Sequence, residues 1–213
     1  MGPNWWYWFV ARVCGLFFKL HNGLKVYGLE HVPDDKPLIV AANHVSVLDP
    51  MVIGITFPRR LRPIAKEELF TGNKFFAWFI RSLGAFPLNR ETGSNAGAAL
   101  KKFSDLLKEG QDMMIFPEGG RSPTGRLQVL EGGAALVAAK QGVPILPAFI
   151  YGAFEAMPMG SSSLSRHKLR VIYGKPIYPP QGMSSKETRN AMHDALTQAL
   201  NELQEQADRG LFD

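Results

Sequence analysis

Short apolar runs alternate with longer amphipathic stretches along most of the chain, and this alternation most restricts the possible folds. Runs bounded by turn residues predict strands, and apolar residues at helical spacing predict helices. The predicted strands are 24–27, 38–42, 62–65, 85–88, 113–116, 145–151 and 169–173. The predicted helices after the first are 49–57, 68–82, 94–109, 132–141 and 186–207. This order predicts an α/β fold with a mostly parallel central sheet flanked by helices.

The last predicted helix carries a start signal of its own. Ser184 and Glu187 stand three residues apart, as in a capping box, and apolar residues such as Met192, Leu196 and Leu200 follow at helical spacing. The aromatic stretch 70–80 is predicted to pack in the core, with a face toward lipid or toward an apolar tunnel as the alternative.

The start of the chain is aromatic and apolar, with two basic residues inside it. Residues 4–20 are too few for a spanning helix, which needs ~20 apolar residues, and they lack the basic start and cleavage site of a signal peptide. Tryptophan prefers the headgroup layer of a bilayer, and long basic side chains reach toward phosphates. We therefore predict an amphipathic helix at the membrane interface, with packing on the protein's own core as the alternative. The predicted membrane-associating residues are Trp5, Trp6, Trp8, Arg12 and Lys19.

The predicted organisation follows from this helix. Residues 1–22 form the membrane-associating part, and residues 23–213 form one further domain, a size that fits 213 residues in total. The predicted location is peripheral, on the cytoplasmic face of the cell membrane.

The charge of the chain is unevenly distributed. There are 24 Lys and Arg against 19 Asp and Glu, a net charge of +5; from residue 184 onward the balance is 3 against 6, so the remainder carries 21 − 13 = +8. A basic body predicts an anionic partner such as an anionic bilayer or an acidic carrier protein, unless the charge is only a solvated surface. No nucleic-acid-binding motif is present, so nucleic acid is not a predicted partner. Cys14 is the only cysteine, which excludes an internal disulfide and a thiolate metal cluster.

Three polar clusters each follow a predicted strand. They are Asn43-His44 with Asp49, Asn89-Arg90, and the segment 118–122 (EGGRS). Ligand sites in open α/β sheets gather outside the carboxyl ends of strands, so one site is expected to collect all three clusters.

His44 and Asp49 form the cluster with an evident acid–base chemistry. They stand five residues apart where a loop is predicted to enter a helix. An aspartate that accepts Nδ1–H fixes the histidine tautomer and leaves Nε2 free as a base. A pair that only closes the strand end is the alternative. No metal is predicted, because the other histidines lack ligand spacing.

The other two clusters indicate anion binding. Glycines let backbone amides approach an anion, and arginine holds phosphate through two hydrogen bonds. Glu118 is a poor phosphate ligand; it is expected to orient an arginine or accept a substrate hydroxyl. A tight turn with a surface ion pair is the alternative for this cluster.

Four motifs, in this order and approximate spacing, resemble the four blocks of the glycerolipid acyltransferase family. They are NHVSVLDP (43–50), GAFPLNR (84–90), FPEGGRS (116–122) and VPILP (143–147). The resemblance covers residues 37–151, and within the family the chain looks like a bacterial-type lysophosphatidate (1-acyl-glycerol-3-phosphate) acyltransferase.

The resemblance implies transfer of a fatty acyl group from acyl-CoA or acyl carrier protein to the free hydroxyl of 1-acyl-glycerol-3-phosphate, giving phosphatidate. It implies no bound cofactor, His44 as the catalytic base and Asp49 as its orienting partner. The residues that it assigns to substrate binding are Asn43, Arg90, Glu118, Gly119, Gly120, Arg121 and Pro144. Many members have threonine in place of Gly120, which leaves the head group of the acceptor open.

Three other functions stay possible from the sequence. Another lysophospholipid or an amino-acid lysolipid is the nearest alternative acceptor. A lipid thioesterase or hydrolase would use water instead, but such enzymes usually carry G-x-S-x-G, which is absent. A non-catalytic lipid-binding module would not need the His–Asp pair.

Overall fold

The computed structural model describes residues 4–34, 37–88 and 93–212. The helices are α1 (Asn4–Asn22), α2 (Asp49–Thr56), α3 (Glu68–Thr71), α4 (Lys74–Ser82), α5 (Gly93–Lys108), α6 (Gly133–Gln141), α7 (Ala153–Ala156) and α8 (Ser185–Asp208). The strands are β1 (Lys25–Tyr27), β2 (Ile39–Ala42), β3 (Leu61–Lys66), β4 (Phe86–Leu88), β5 (Asp112–Ile115), β6 (Ile145–Tyr151) and β7 (Arg170–Tyr173).

The described strands form one sheet in the order β1-β7-β6-β2-β5-β3-β4. Every neighbouring pair in this sheet is parallel except β6 and β7. The predicted α/β class and mostly parallel sheet are therefore confirmed. The carboxyl ends of β2, β3, β4, β5 and β6 lie at one edge, which we call the carboxyl edge.

Helices cover both faces of the sheet. Successive side chains of a strand point to opposite faces. Val40 and Ala42 of β2 accordingly join a hydrophobic cluster with residues of α1 and α2, whereas Ile39 and Ala41 join a second cluster with residues of α5, α6 and α8. Each face of the central strand is buried, which explains its continuous apolar sequence.

The predicted elements agree with the structure except at a few points. The capping box at Ser184 and Glu187 is confirmed. The single helix predicted over 68–82 is wrong: it divides into α3 and α4, because the Asn73 side chain caps α4 by accepting a hydrogen bond from the Phe76 N–H at 3.0 Å. The short helix α7 and a 3₁₀ turn over Leu29–His31 were not predicted.

Helix α1 packs into the protein's own core along one side. The Tyr7 hydroxyl donates to the Gly54 carbonyl oxygen of α2 at 2.9 Å. At the other end of α1, the Asn22 amide donates to the carbonyl oxygens of Ser165 and His167, which precede β7. Because β7 begins beside the last residue of β6, α1 ends at the carboxyl edge. Its buried residues are Tyr7, Val10, Ala11, Phe18 and Asn22.

The opposite side of α1 exposes an apolar stripe. It consists of Trp5, Phe9, Val13, Leu16, Phe17 and Leu20. The alternative of packing on the protein's own core therefore applies to one face of α1, and the predicted membrane contact stays a prediction for the exposed face. None of the helices within 4–34, 37–88 and 93–212 is long and apolar enough to cross a membrane.

Candidate active site

Two of the three predicted clusters meet at the carboxyl edge. His44 follows β2, and the segment 116–122 follows the neighbouring parallel strand β5. The His44 N–H donates to Glu118 Oε1 at 2.6 Å, and the Ser122 N–H donates to the His44 carbonyl oxygen at 2.7 Å. Asn89 and Arg90 lie outside the described residues.

The side chains of His44 and Asp49 form a hydrogen-bonded pair. His44 Nδ1 lies 2.8 Å from Asp49 Oδ2. An ionised aspartate only accepts hydrogen bonds, so the pairing assigns the proton of the neutral imidazole to Nδ1 and leaves Nε2 as the acceptor. The His44 side chain is 18% exposed, whereas that of Asp49 is completely buried. The imidazole therefore has an accessible edge, and its partner does not.

Asp49 is held by the turn that begins α2. Its Oδ2 also accepts hydrogen bonds from the N–H groups of Val45 at 2.6 Å and Ser46 at 2.7 Å. Its Oδ1 is buried and accepts no hydrogen bond from the part of the chain that the structure describes. Burial raises the pKa of Asp49, against the effect of the hydrogen bonds from His44, Ser46 and Val45.

The His44 imidazole also lies against an aromatic ring. The ring centroids of His44 and Phe116 are 4.1 Å apart and the planes differ by 19°, a stacked arrangement. Phe116 directly follows β5, so the pairing of β2 with β5 places the two rings together. The hydrogen bond to Asp49 and this stacking fix the orientation of the imidazole. Apart from its position in the third motif, nothing in the sequence indicates this role of Phe116.

Glu118 holds two backbone segments together. Its Oε1 accepts from the His44 N–H, and its Oε2 accepts from the Gln128 N–H at 2.9 Å. Burial, and to a smaller extent the charge of Asp49, raises the pKa of Glu118 to about 7 against the effect of these hydrogen bonds. Sequence reasoning expected Glu118 to meet an arginine or a substrate hydroxyl; in the structure both carboxylate oxygens meet backbone N–H groups.

Asn43 and Ser46 brace the same loop. The Asn43 amide exchanges two hydrogen bonds with the backbone of Ile150 in β6, at 3.0 and 2.7 Å. Ser46 is completely buried, and its hydroxyl donates to the Met157 carbonyl oxygen at 2.6 Å. Asn43 was predicted to bind substrate, and the structure gives its side chain contacts within the protein.

The glycine turn after β5 contains two different kinds of glycine. Gly119 has φ +74°, and a Cβ placed there would lie 2.3 Å from Glu131 Oε1. A Cβ on Gly120 would meet nothing within 4 Å. Arg121 is exposed. The positive φ at position 119 thus requires a glycine, whereas the absence of a side chain at Gly120 leaves open space beside the site.

Pro144 is not brought to this site. Its carbonyl oxygen accepts from the Ile39 N–H at the start of β2, and β2 and β6 are parallel. Pro144 therefore lies at the opposite edge of the sheet from His44. Motif order along the chain could not reveal this, because the fourth motif covers the beginning of a strand and the first motif covers the end of one.

The predicted membrane-associating residues fall into two groups. Trp5, Arg12 and Lys19 are exposed, and Trp8 is half-buried. The Trp6 indole N–H donates to Ser82 Oγ of α4 at 3.0 Å, so this residue joins two helices. No group of three or more His, Cys, Asp or Glu side chains that would suit a metal ion occurs among residues 4–34, 37–88 and 93–212.

A buried aspartate that orients a partly exposed histidine, at the carboxyl edge of an α/β sheet, is typical of enzymes that deprotonate a hydroxyl for group transfer. The chain belongs to the Acyltransferase family, whose profile matches residues 23–151, and it is an O-acyltransferase.

Named relatives cover most of the chain. This chain is 32% identical over 207 residues to the 1-acyl-sn-glycerol-3-phosphate acyltransferase of Bacillus subtilis. The matched region covers 95% of this chain and 99% of that protein. It is 33% identical over 165 residues to the enzyme of the same name from Streptococcus pneumoniae, covering 76% and 58% of the two chains. The crystal structure of the 1-acyl-sn-glycerophosphate acyltransferase PlsC from Thermotoga maritima is similar, with a TM-score of 0.74, 29% identity, and coverage of 93% and 78%.

Proposed function

We propose that this protein is a 1-acyl-sn-glycerol-3-phosphate acyltransferase, which moves a fatty acyl group from a thioester to the free hydroxyl of its acceptor and forms phosphatidate. The observation that carries the proposal is the 2.8 Å contact between His44 and the buried Asp49. The acceptor is supported by the names of the relatives from Bacillus subtilis and Streptococcus pneumoniae.

In the proposed reaction, His44 Nε2 removes the proton of the acceptor hydroxyl while the oxygen attacks the thioester carbonyl. The new C–O bond forms, the C–S bond breaks, and the leaving thiolate takes the proton from the imidazolium. Asp49 stabilises that imidazolium. General base catalysis of this kind contributes ~10²–10⁴-fold to the rate. Transfer is direct, without an acyl-enzyme, which fits the complete burial of the Ser46 hydroxyl.

Glu118 is proposed as a positioning residue for the base. Its carboxylate joins the His44 N–H to the Gln128 N–H, and the Ser122 N–H holds the His44 carbonyl oxygen. The backbone of His44 is therefore fixed on both sides by the segment that follows β5. A displacement of the base by about 1 Å would cost ~10²-fold in rate.

Arg90, the glycine turn at Gly119 and Gly120, and Arg121 are proposed to recognise the acceptor phosphate. A phosphate monoester carries close to two negative charges at neutral pH, and a guanidinium binds it with two parallel hydrogen bonds. The exposure of Arg121 and the open space at Gly120 are compatible with an anion at this turn. Arg90 is assigned from its place in the second motif.

The apolar stripe of α1 is proposed to dock the enzyme on the cytoplasmic face of the membrane as a peripheral protein. The acceptor is a lipid, so docking shortens the distance that it must leave the bilayer. Arg12 and Lys19 are exposed on the same helix, which contains no acidic residue. The thioester donor is proposed to be acyl-CoA or acyl carrier protein, with no bound cofactor.

A panel of acceptors with a radiolabelled acyl thioester tests the proposal. We expect labelled phosphatidate from 1-acyl-sn-glycerol-3-phosphate, little product from lysophosphatidylcholine, and little free fatty acid. Folded His44→Ala should lose at least ~10²-fold in kcat, because the base is absent. Preferred acylation of another lysolipid would move the acceptor assignment, and release of free fatty acid alone would make the protein a thioesterase.

A further inference from the structure

Helix α4 exposes a face of large aromatic side chains. Phe75 is 73% exposed, Trp78 is 54% exposed and Phe76 is 42% exposed, while Ala77 and Ser82 form the buried side. The sequence-based expectation that this aromatic stretch packs in the core is therefore wrong for these three residues. Aromatic side chains gain more free energy on burial than most other residues. An exposed face of this kind therefore fits a partner that removes it from water.

The aromatic face of α4 is continuous with that of α1. Phe9 stacks on Trp6 with centroids 6.0 Å apart, Trp6 lies 6.3 Å from Trp78, and Trp78 lies 5.8 Å from Phe75. The hydrogen bond from Trp6 to Ser82 fixes the two helices at this junction. We call Phe9, Trp6, Trp78 and Phe75 the aromatic ridge.

The ridge reaches the carboxyl edge of the sheet. Helices α3 and α4 connect the end of β3 to the start of β4, and these strands are parallel. The amino end of α4 therefore lies at the edge where β3, β2 and β5 end, which is also the edge of His44. The exposed Leu69 of α3 lies at the same end.

The charge around the ridge indicates which partner covers it. Neither α1 nor α4 contains an acidic residue, and each contains two Lys or Arg residues: Arg12 and Lys19 in α1, Lys74 and Arg81 in α4. A symmetric contact with a second copy of the chain would bring these like charges together, which is unfavourable. Anionic headgroups would instead attract them, and tryptophan favours the headgroup layer.

We propose that α4 is a second membrane-contacting element, and that the aromatic ridge across α1 and α4 inserts into the interfacial layer of an anionic bilayer. This inference extends the proposed docking of α1, which it takes as given. Contact through both α1 and α4 fixes the tilt of the molecule on the bilayer. Contact through α1 alone would leave the molecule free to rotate about the axis of that helix. The carboxyl edge is thereby held next to the lipid surface.

Vesicle flotation with the full-length protein tests the proposal. The vesicles contain phosphatidylcholine and phosphatidylglycerol in a ratio of about 3:1. Phe75→Glu and the double variant Phe75→Glu/Trp78→Glu should bind at least tenfold more weakly than wild type. Tyr178→Glu is the matched control, because Tyr178 is also 54% exposed and lies outside both helices; it should float like wild type. Because Trp78 contacts Trp6, replacing it could destabilise the fold. The single variant Phe75→Glu keeps the test valid if the double variant is unstable.

The outcomes separate this inference from the proposed function. Unchanged flotation of folded Phe75→Glu would overturn it. The inference would also be overturned if wild type formed a dimer in analytical ultracentrifugation and Phe75→Glu dissociated that dimer without changing flotation. A second copy of the chain would then cover the face. If flotation falls as expected but no acceptor is acylated by wild type, the membrane contact stands and the proposed reaction fails. Acylation of a short-chain, water-soluble acceptor should be nearly equal for wild type and Phe75→Glu.

Discussion

Replacing Asp49 by asparagine should separate the charge of the pair from its geometry. Asp49 Oδ2 accepts three hydrogen bonds, from His44 Nδ1 and from the N–H groups of Val45 and Ser46, whereas Oδ1 accepts none from residues that the structure describes. Asparagine has the same shape, so we expect its oxygen to keep the three donors and its amide nitrogen to occupy the place of Oδ1. The imidazole should stay in position, and only the negative charge should be lost.

The expected change in stability is small for Asp49→Asn and large for Asp49→Ala. Burial raises the pKa of Asp49, so the folded protein tolerates a neutral side chain better than the unfolded chain does. We therefore expect the free energy of unfolding of Asp49→Asn to stay within about 1 kcal/mol of wild type. Alanine leaves three donors without an acceptor, at ~1–3 kcal/mol each, so Asp49→Ala should lose about 3 kcal/mol or more.

The expected change in activity is large for both variants. In the proposed reaction, loss of the charge removes the counterion of the imidazolium, so kcat should fall by ~10²-fold or more, though less than for His44→Ala. The assay is single-turnover transfer of a radiolabelled acyl group, with urea unfolding of the same preparations. If folded Asp49→Asn keeps more than about a tenth of the wild-type kcat, Asp49 only supports the turn, and the general-base proposal loses its orienting partner.

The pKa of Glu118 is raised from 4.5 to about 7 in the folded protein, so its contribution to stability is present below about pH 4.5 and lost as pH rises through 7. Wild type should then lose more unfolding free energy than Glu118→Gln between pH 5 and pH 8; equal losses in urea titrations would contradict this. Gly119→Ala should lower the free energy of unfolding by ~1–2 kcal/mol, because Gly119 has a positive φ. Gly120→Thr should change it by less than ~0.5 kcal/mol, as measured by thermal unfolding. Equal effects of the two substitutions would refute the proposed difference between these glycines. Arg90→Lys should lower kcat/KM for lysophosphatidate about tenfold or more but leave that for a monoacylglycerol unchanged, since lysine cannot copy the guanidinium fork; equal losses for both acceptors would make Arg90 structural.

Local patterns were enough for most of the fold. Strand β6 has the predicted bounds of 145–151, and α8 begins with the predicted capping box at Ser184 and Glu187. Such features depend on side-chain periodicity and on hydrogen bonds within a few residues, which a sequence displays directly. The His44–Asp49 pair belongs to the same category, because both residues lie in one short turn.

Contacts between distant segments needed the tertiary structure. Glu118 and Phe116 meet His44 across more than 70 positions, because the register of β2 and β5 aligns Ala41 with Ile115. That register results from packing over the whole sheet, so no local pattern in either motif indicates that a glutamate will hold the backbone of His44. Pro144 instead lies far from His44. Because β2 and β6 are parallel and Pro144 precedes β6, it lies at the edge of the sheet opposite the carboxyl edge.

The aromatic residues show the limit of sequence reasoning most clearly. Phe70 is buried and Phe75 is exposed, although both lie in one apolar stretch that fits a core helix or a membrane-facing helix equally well. Hydrophobicity determines that such side chains leave water when they can, but it does not determine what covers them. The sequence by itself determined the α/β architecture and the His–Asp pair, whereas the tertiary structure decided which aromatic faces remained uncovered, because burial depends on the neighbours that the complete fold supplies.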